Sequence, residues 1–470
     1  MIRLRPLCAL VALVLLLPAL RADEKPAEKW HYDRAVTVSP AGAPVPIFKY
    51  RFFPTHTERK DGNAAPIFER FAHERPDARR KELVEKPAEW NKLPLDQLPK
   101  AEVKKLLDSY AYNFKQLELG ARRKTADWNY TLDTGDVIGV MIPDMQEMRI
   151  QAALLALKAR YEIADGRYAD AVRTLETGFA FSRHLSPNHF LVCTLVAIAC
   201  ANQMTDVALE LAERPDAPNL YWALAVLPRP FIGWRQPMET EMALPEMQFP
   251  EMADLDRPRT ADQWEADLAR LRKRYDNLDD RHPPRPGTRS GDPAAQSPDL
   301  ATARKYLTEV VRLPDVDKMP PAQALMLYVS HYYHELRDDV FKGTYLPYAQ
   351  GRPLDVAADQ RLKTAIQDTE AGRLARMLLP AIVRVGLNRA RLERKLSATM
   401  VIEALRQHAA QHGHLPDQLS DVTVVPVPAD PGSGKPFEYR RDGDTATLTS
   451  RIAGEPLEQT GLRYRIKLRK

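Results

Sequence analysis

The sequence predicts a mainly α protein of stacked antiparallel helical hairpins, tetratricopeptide-like, with a small β-rich C-terminal subdomain. Three observations predict it. Apolar residues recur at helical spacing through most of the chain from about Ala64 to His412. Two of these periodic segments are separated only by Asp165-Gly166-Arg167, a break so short that the helices must pack antiparallel. Beyond Gly413 the pattern turns to strand-like alternation between stretches rich in Pro, Asp and Gly.

Residues 1–22 have the pattern of a secretory signal peptide. Arg3 and Arg5 supply a positive start, Leu7 to Leu20 an apolar run broken only by Pro18, and Ala22 a small residue before Asp23 and Glu24. The run is shorter than the roughly 20 residues of a membrane span. Cys8 follows Leu7 rather than a small residue, which argues against a lipoprotein. The protein is therefore expected to be exported, to the periplasm or outside the cell. Phe190 to Ala201, the most apolar later stretch, is short and reads as a buried helix, so no transmembrane segment is expected after signal removal.

A chain of 470 residues with 44% hydrophobic and 28% charged residues can build two or three well-packed domains with a solvated surface. The precursor's net charge of +5 falls to +2 once Arg3, Arg5 and Arg21 leave with the signal. That near-neutral balance argues against nucleic acid as a partner. Cys193 and Cys200 remain, seven apart on one predicted helix and so roughly 10 Å apart. A disulfide needs Cα atoms within about 7 Å, so both are expected to be small buried hydrophobes.

Residues 23–63 form an extended N-terminal segment, with Pro46 to Phe53 alternating loosely and Asp61-Gly62-Asn63 signalling a turn. A helical domain spans 64–275. Ile67, Phe68 and Phe71 mark its first helix. Val103 to Leu117 mark a second that starts near Pro99 and stops at Gly120. Ala152 to Leu157 is apolar nearly all round, the mark of a helix buried on most sides. Tyr168, Ala171, Val172, Leu175 and Phe179 stripe its hairpin partner, and Asn188 to Glu213 forms a third helix ended by Pro215 and Pro218. A charged helix, Asp262 to Tyr275, precedes a disordered linker at 276–300, where Pro283, Pro284, Pro286, Pro293 and Pro298 cluster. A second helical region, 301–413, holds helices over Pro321–Phe341, Asp355–Leu379 and Pro380–His412. In the tail, 414–470, Phe437 to Ile452 reads as a hairpin turning at Asp442-Gly443-Asp444, and Leu462 to Lys470 as a third strand.

Gly166, Tyr168, Ala171 and Leu175 match the middle of a tetratricopeptide repeat, though the 34-residue period does not recur. From about Ile47 onward the chain resembles a family of exported planctomycete proteins. The resemblance rests on Phe48-Lys49-Tyr50-Arg51 with Gly62-Asn63-Ala64-Ala65-Pro66, on Ala126-Asp127-Trp128, on Arg160 to Leu185, and on Ala217 to Pro230. That family implies no activity; its shared positions look like packing and turn residues. The tail, through Gly413, Leu415-Pro416, Leu419, Pro428, Asp430-Pro431, Gly434, Pro436-Phe437 and Tyr439, resembles the head of a type II secretion pseudopilin. The pilin helix at the mature N-terminus is missing, and the basic strand Leu462–Lys470 replaces the closing calcium loop. The resemblance therefore implies a structural unit, without fibre assembly or calcium.

Several clusters suggest chemistry, and each has a plainer reading. His408 and His412 share a helix face and His414 follows, a start for zinc ligation but equally cations at a helix C-terminus. His331, His334 and Glu335 lack the i, i+4 spacing of a zinc protease. Met238, Met242, Met247 and Met252 offer soft thioethers for Cu(I), or gap-filling packing. Gly432-Ser433-Gly434-Lys435 lacks the hydroxyl residue and first glycine of a phosphate loop and reads as a turn. Arg463, Arg465, Lys467 and Arg469 share a strand face that would attract a polyanion or protect a sheet edge. No catalytic, cofactor-binding or metal-binding residue is predicted. Pro218 to Pro230 is expected to lock the hairpins together, with Trp222 reaching Phe190 or Leu191 and Trp222→Ala costing about 3–5 kcal/mol. The expected function is a non-enzymatic exported scaffold or binder of a protein partner or envelope component. The alternative is an envelope hydrolase whose site is assembled from distant residues. A deep pocket with convergent Asp, Glu or His would favour the enzyme; a groove lined with Tyr, Trp and Arg would favour the binder.

Overall fold

A computed structural model describes residues 28–73, 80–130, 144–187, 189–281, 300–365, 372, 374–375, 379–452 and 454–469. The expected signal peptide and the proline cluster at 282–298 lie outside the described residues. The fold is mainly α with a small mixed sheet.

Four short helices, α1 (Ala65–His73), α2 (Arg80–Trp90), α3 (Lys100–Ser109) and α4 (Ala111–Ala121), surround the antiparallel pair α5 (Asp144–Ala164) and α6 (Tyr168–His184). Gly166 turns that hairpin at φ +75°, a conformation that suits a residue without Cβ. The single helix expected over 99–120 is two. At Tyr110 the backbone leaves helical geometry, and the ring packs against Phe71 in a satellite core with Trp90, Val103 and Leu154. Helix α5 is buried on opposite sides because α2 and α3 cover one and α6 and α7 (Leu191–Ala212) the other. Helix α7 alone among the described helices is long and apolar enough to cross a membrane; 67% of its most apolar window is buried inside the protein. Cys193 and Cys200 on it are free, buried thiols, and burial pushes both up to about 12.

A short helix α8 (Tyr221–Ala225) leads to α9 (Arg235–Gln248), which continues through Pro245, and α10 (Ala261–Arg281), which runs six residues past Tyr275. Then come α11 (Leu300–Tyr306), α12 (Pro321–Lys342) and α13 (Tyr348–Ala365). Helix α13 starts seven residues before Asp355 and carries Pro353 within it. Its early start is coupled to a backbone contact: a Cβ on Gly351 would lie 2.1 Å from the Gly343 carbonyl oxygen. Only glycine lets the end of α12 and the start of α13 come so close, and the contact throws Thr344–Pro347 outward as a tight loop. The long helix Pro380–His412 has the predicted bounds, and Gly413 ends it at φ +77°.

The tail hairpin forms as expected from β4 (Glu438–Asp442) and β5 (Thr445–Ser450), after the N-terminal strand β1 (Tyr32–Val38) and the short parallel pair β2 (Lys60–Asn63) and β3 (Arg123–Thr125). Strand β6 (Leu462–Leu468) pairs antiparallel with β5 and parallel with β1, so the order is β1-β6-β5-β4. The extended N-terminal segment thus completes the tail's sheet. Its strand is Tyr32–Val38 rather than 46–53, where the chain makes turns. Because β1 covers it, β6 is a central strand, and its basic row does not guard an edge. Arg463 and Arg465 both pair with Asp33 of β1, at 2.5 and 3.2 Å.

Candidate functional site

The long helix organises the molecule through side chains that its hydrophobic periodicity does not reveal. Glu403 and Arg406, three apart, form an ion pair whose side chains have 0% exposure. Arg406 donates from Nε to the Ser39 carbonyl (3.0 Å) and from its terminal nitrogens to the Pro218 (3.2 Å) and Ala217 (2.8 Å) carbonyls. Glu403 accepts from the Leu220 backbone N–H (3.1 Å), and its carbonyl accepts from the Asn219 side chain (2.8 Å). The proline-bounded block at 217–220 is therefore read almost atom by atom by one turn of the long helix. About three turns earlier, Arg394 meets Asp430 at 3.2 Å, both side chains 2% exposed, and donates to Ser450 and to the Thr460 carbonyl (2.5 Å). Asp430 also accepts from the Gly432 N–H at 2.9 Å. A Cβ on Gly432 would lie 2.4 Å from the Arg394 side chain, so this turn needs glycine there for room.

These anchors, with the α12–α13 loop, frame a groove of about 590 Å³. Trp234 and Arg235 at the start of α9 line one side, Tyr345, Leu346, Pro347 and Tyr348 the other, and Arg389 of the long helix the base. Tyr345 is 55% and Leu346 39% exposed, unusual for residues of their size. The Tyr345 hydroxyl donates to Met242 Sδ at 3.1 Å, which fixes its ring. The Arg389 guanidinium lies 3.9 Å from the Trp234 ring centroid. Glu393 also lines the groove, but its oxygens are engaged by the Phe231 N–H (2.6 Å) and by Arg229 (3.4 Å). Neither Arg235 nor Arg389 has an ion pair among the described residues, so the groove carries excess positive charge beside its aromatic lining.

A second cleft, about 390 Å³, lies between α3, α4, α5 and α6. Its carboxylates are all paired: Asp108 with Lys104, Glu118 with Arg122, Glu162 with Lys158, and Asp170 with Arg167. No acid there is left poised for proton transfer.

The clusters singled out in the sequence take structural places. The His408 and His412 rings lie 4.3 Å apart and His414 6.0 Å from His408, yet among the described residues no group of His, Cys, Asp or Glu is arranged to hold a metal ion. His334 bonds Glu246 at 2.6 Å and Glu335 accepts from Tyr306 at 2.6 Å, tying α12 to α9 and α11. Met238 and Met252 are buried, and Met242 and Met247 pack on the same core. Gly432–Lys435 is a turn closed by the Asp430 N–H on the Lys435 carbonyl (2.8 Å). Two motifs of the planctomycete resemblance meet: Asn63 donates to the Asp127 carbonyl at 2.6 Å and accepts from its N–H at 2.7 Å.

Trp222 departs from expectation. It is partly buried and sits edge-on to Phe48 (5.9 Å) and Tyr221 (5.3 Å), away from Phe190, whose ring neighbour is Tyr130. The block docks on the long helix and the tail, where Tyr221 donates to the Pro426 carbonyl at 2.6 Å, and it meets α6 at its end, where Arg183 donates to the Pro230 carbonyl at 3.1 Å and Phe231 packs on Phe179. With its ring only partly buried at the edge of the core, Trp222→Ala is expected to cost about 1–2 kcal/mol instead of the cavity-sized value. Thermal unfolding checks this; a loss above about 3 kcal/mol would mean that the ring carries core packing.

Of the residues lining the groove, only Met238, Pro431 and Gly434 were singled out by pattern, and none of them for binding. Trp234 and Tyr345 are separated by more than a hundred residues, and the only local signal was Pro and aromatic residues in short loops. No family model, no curated protein and no solved structure matches the chain.

Proposed function

We propose that the protein is an exported, non-enzymatic scaffold that holds a protein partner in the Trp234–Tyr345–Tyr348 groove. The groove itself carries the reading. Its exposed aromatic and proline rings offer flat apolar faces, and Arg235 and Arg389 bring donors and unpaired positive charge. An extended segment with prolines and acidic residues fits this lining. A polyproline conformation is already ordered before binding, its rings pack on aromatic faces, and its carbonyls face the donors. The stacked hairpins, with their single tetratricopeptide-like unit, and the pseudopilin-like tail, as a structural unit without fibre assembly, serve as the frame that sets the groove's two walls. Export rests on residues 1–22; recovery of a cytoplasmic chain with Met1 intact would refute it.

The hydrolase reading loses ground because the acids lining the cleft between α3, α4, α5 and α6 are salt-bridged and the groove has a single, engaged carboxylate. The test uses Tyr345→Ser with Leu346→Asp, two exposed positions whose replacement is expected to leave the melting temperature unchanged. Wild-type protein should retain a partner from the native envelope, and this variant should retain less than a tenth as much. Equal retention by both would refute the groove as the binding site.

A further inference from the structure

A separate cleft of about 310 Å³ opens where β1, α7, the long helix and the segment after the short helix Leu457–Thr460 meet. Polar and charged side chains line much of it: His31, Asn202, Asp206, Asn388, Arg391, Arg394 and Lys395. From the Arg391 guanidinium, which has no carboxylate among the described residues, and the asparagine amides that line the cleft with it, we infer that this cleft binds a small oxyanion, the carboxylate or the phosphate- or sulfate-type group of a soluble ligand.

The charge balance carries the inference. Lys395 is satisfied by Asp206 at 2.7 Å, and the same carboxylate accepts from Tyr32 at 2.9 Å and pairs with Arg34 at 3.5 Å. Arg34 has a second partner, Glu213, at 2.7 Å, and Arg394 has Asp430. Arg391 differs. It donates only to neutral oxygens, those of the Gln459 carbonyl and of the Asn388 side chain at 3.0 Å, and among the described residues it has no carboxylate partner. Four cations thus share three carboxylates, and the excess charge sits at the cleft's wall. The Asn388 amide oxygen is used by Arg391, so its NH₂ remains to donate, and the Asn202 amide has no protein partner among the described residues. An oxyanion needs such donors: a guanidinium without a carboxylate, two amides, and the positive field of Lys395 and Arg394 around them.

His31 senses the same field. Its imidazole is exposed at the rim and bonds the Glu458 backbone. Partial burial and the charges of Arg391, Arg394 and Lys395 hold it below its ordinary value. Facing it are those three cations from the long helix, Asp206 from α7, and Tyr32 beside it on β1. An anion in the cleft offsets that repulsion, so binding favours the protonated imidazole and strengthens as pH falls toward the ordinary imidazole range.

Calorimetric titration of the full mature chain with sulfate and, separately, with acetate tests this, chloride keeping ionic strength constant. Both probes hold their charge between pH 6 and 8, so any pH dependence belongs to the protein. Saturable binding of either supports the site, and the preferred probe separates phosphate- or sulfate-type ligands from carboxylates. Arg391→Gln is expected to weaken binding about tenfold or more through loss of a charge-assisted hydrogen bond. His31→Gln should retain binding but flatten its pH dependence. Absence of saturable heat with both probes, or unchanged binding in Arg391→Gln, would overturn the inference. Melting curves of both variants show that each remains folded.

Discussion

Replacing Arg406 with Met is expected to destabilise the protein by about 3–5 kcal/mol. Glu403 would be left as a buried carboxylate with no cation, and the carbonyls of Ser39, Ala217 and Pro218 would lose their donors. An unpartnered buried acceptor costs about 1–3 kcal/mol by itself. Glu403→Gln together with Arg406→Met should recover part of the loss, because the stranded charge disappears, but only part, because three backbone carbonyls stay unpaired. Arg406→Lys should fall between, keeping the charge without the fork that reaches several oxygens. Chemical unfolding reads all three. A single Arg406→Met variant as stable as wild type would mean that the N-terminal segment and the 217–220 block do not depend on this helix turn.

Arg394→Met is expected to have a similar effect, about 3–5 kcal/mol, with a different symptom. It strands Asp430, and with Asp430 goes the turn that closes on Gly432 and Lys435. The sheet should loosen from the helix before the hairpins melt, so limited proteolysis should clip near 430–436 ahead of any other described loop. Asp430→Asn should be milder, since the amide oxygen still accepts from the Gly432 N–H. Cleavage of Arg394→Met at the wild-type rate would show that the tail is held by its apolar contacts alone.

What was legible in the sequence followed from local periodicity. Pro380–His412 was bounded by a proline at one end and a glycine at the other; β4 and β5 carried alternation about an Asp-Gly turn; α5 and α6 were separated by a turn built on Gly166. What escaped was set by long-range pairing. Strand β1 is completed by β6 more than 400 residues later, and nothing within Tyr32–Val38 marks it above the neighbouring Pro46–Phe53. Tyr110 breaks a helix because a distant aromatic pocket takes its ring, and α13 runs through Pro353 because Gly343 and Gly351 touch. Nothing in the local pattern sets Glu403 and Arg406 apart; the N-terminal segment and residues 217–220 close over them. The groove escaped for the same reason: its walls come from segments far apart in the chain, around Trp234, Tyr345, Arg389 and Gly434.

The central claim is that the groove beside Tyr345 holds an extended protein segment. Photo-crosslinking from a benzoyl-phenylalanine placed at position 345, in the exported protein in its native host, tests it most directly. The account predicts one dominant protein adduct, joined through a proline-containing acidic stretch, and no such adduct from a probe at the exposed Val84 of α2. No adduct above the Val84 control, or one made only with lipid or glycan, would contradict it.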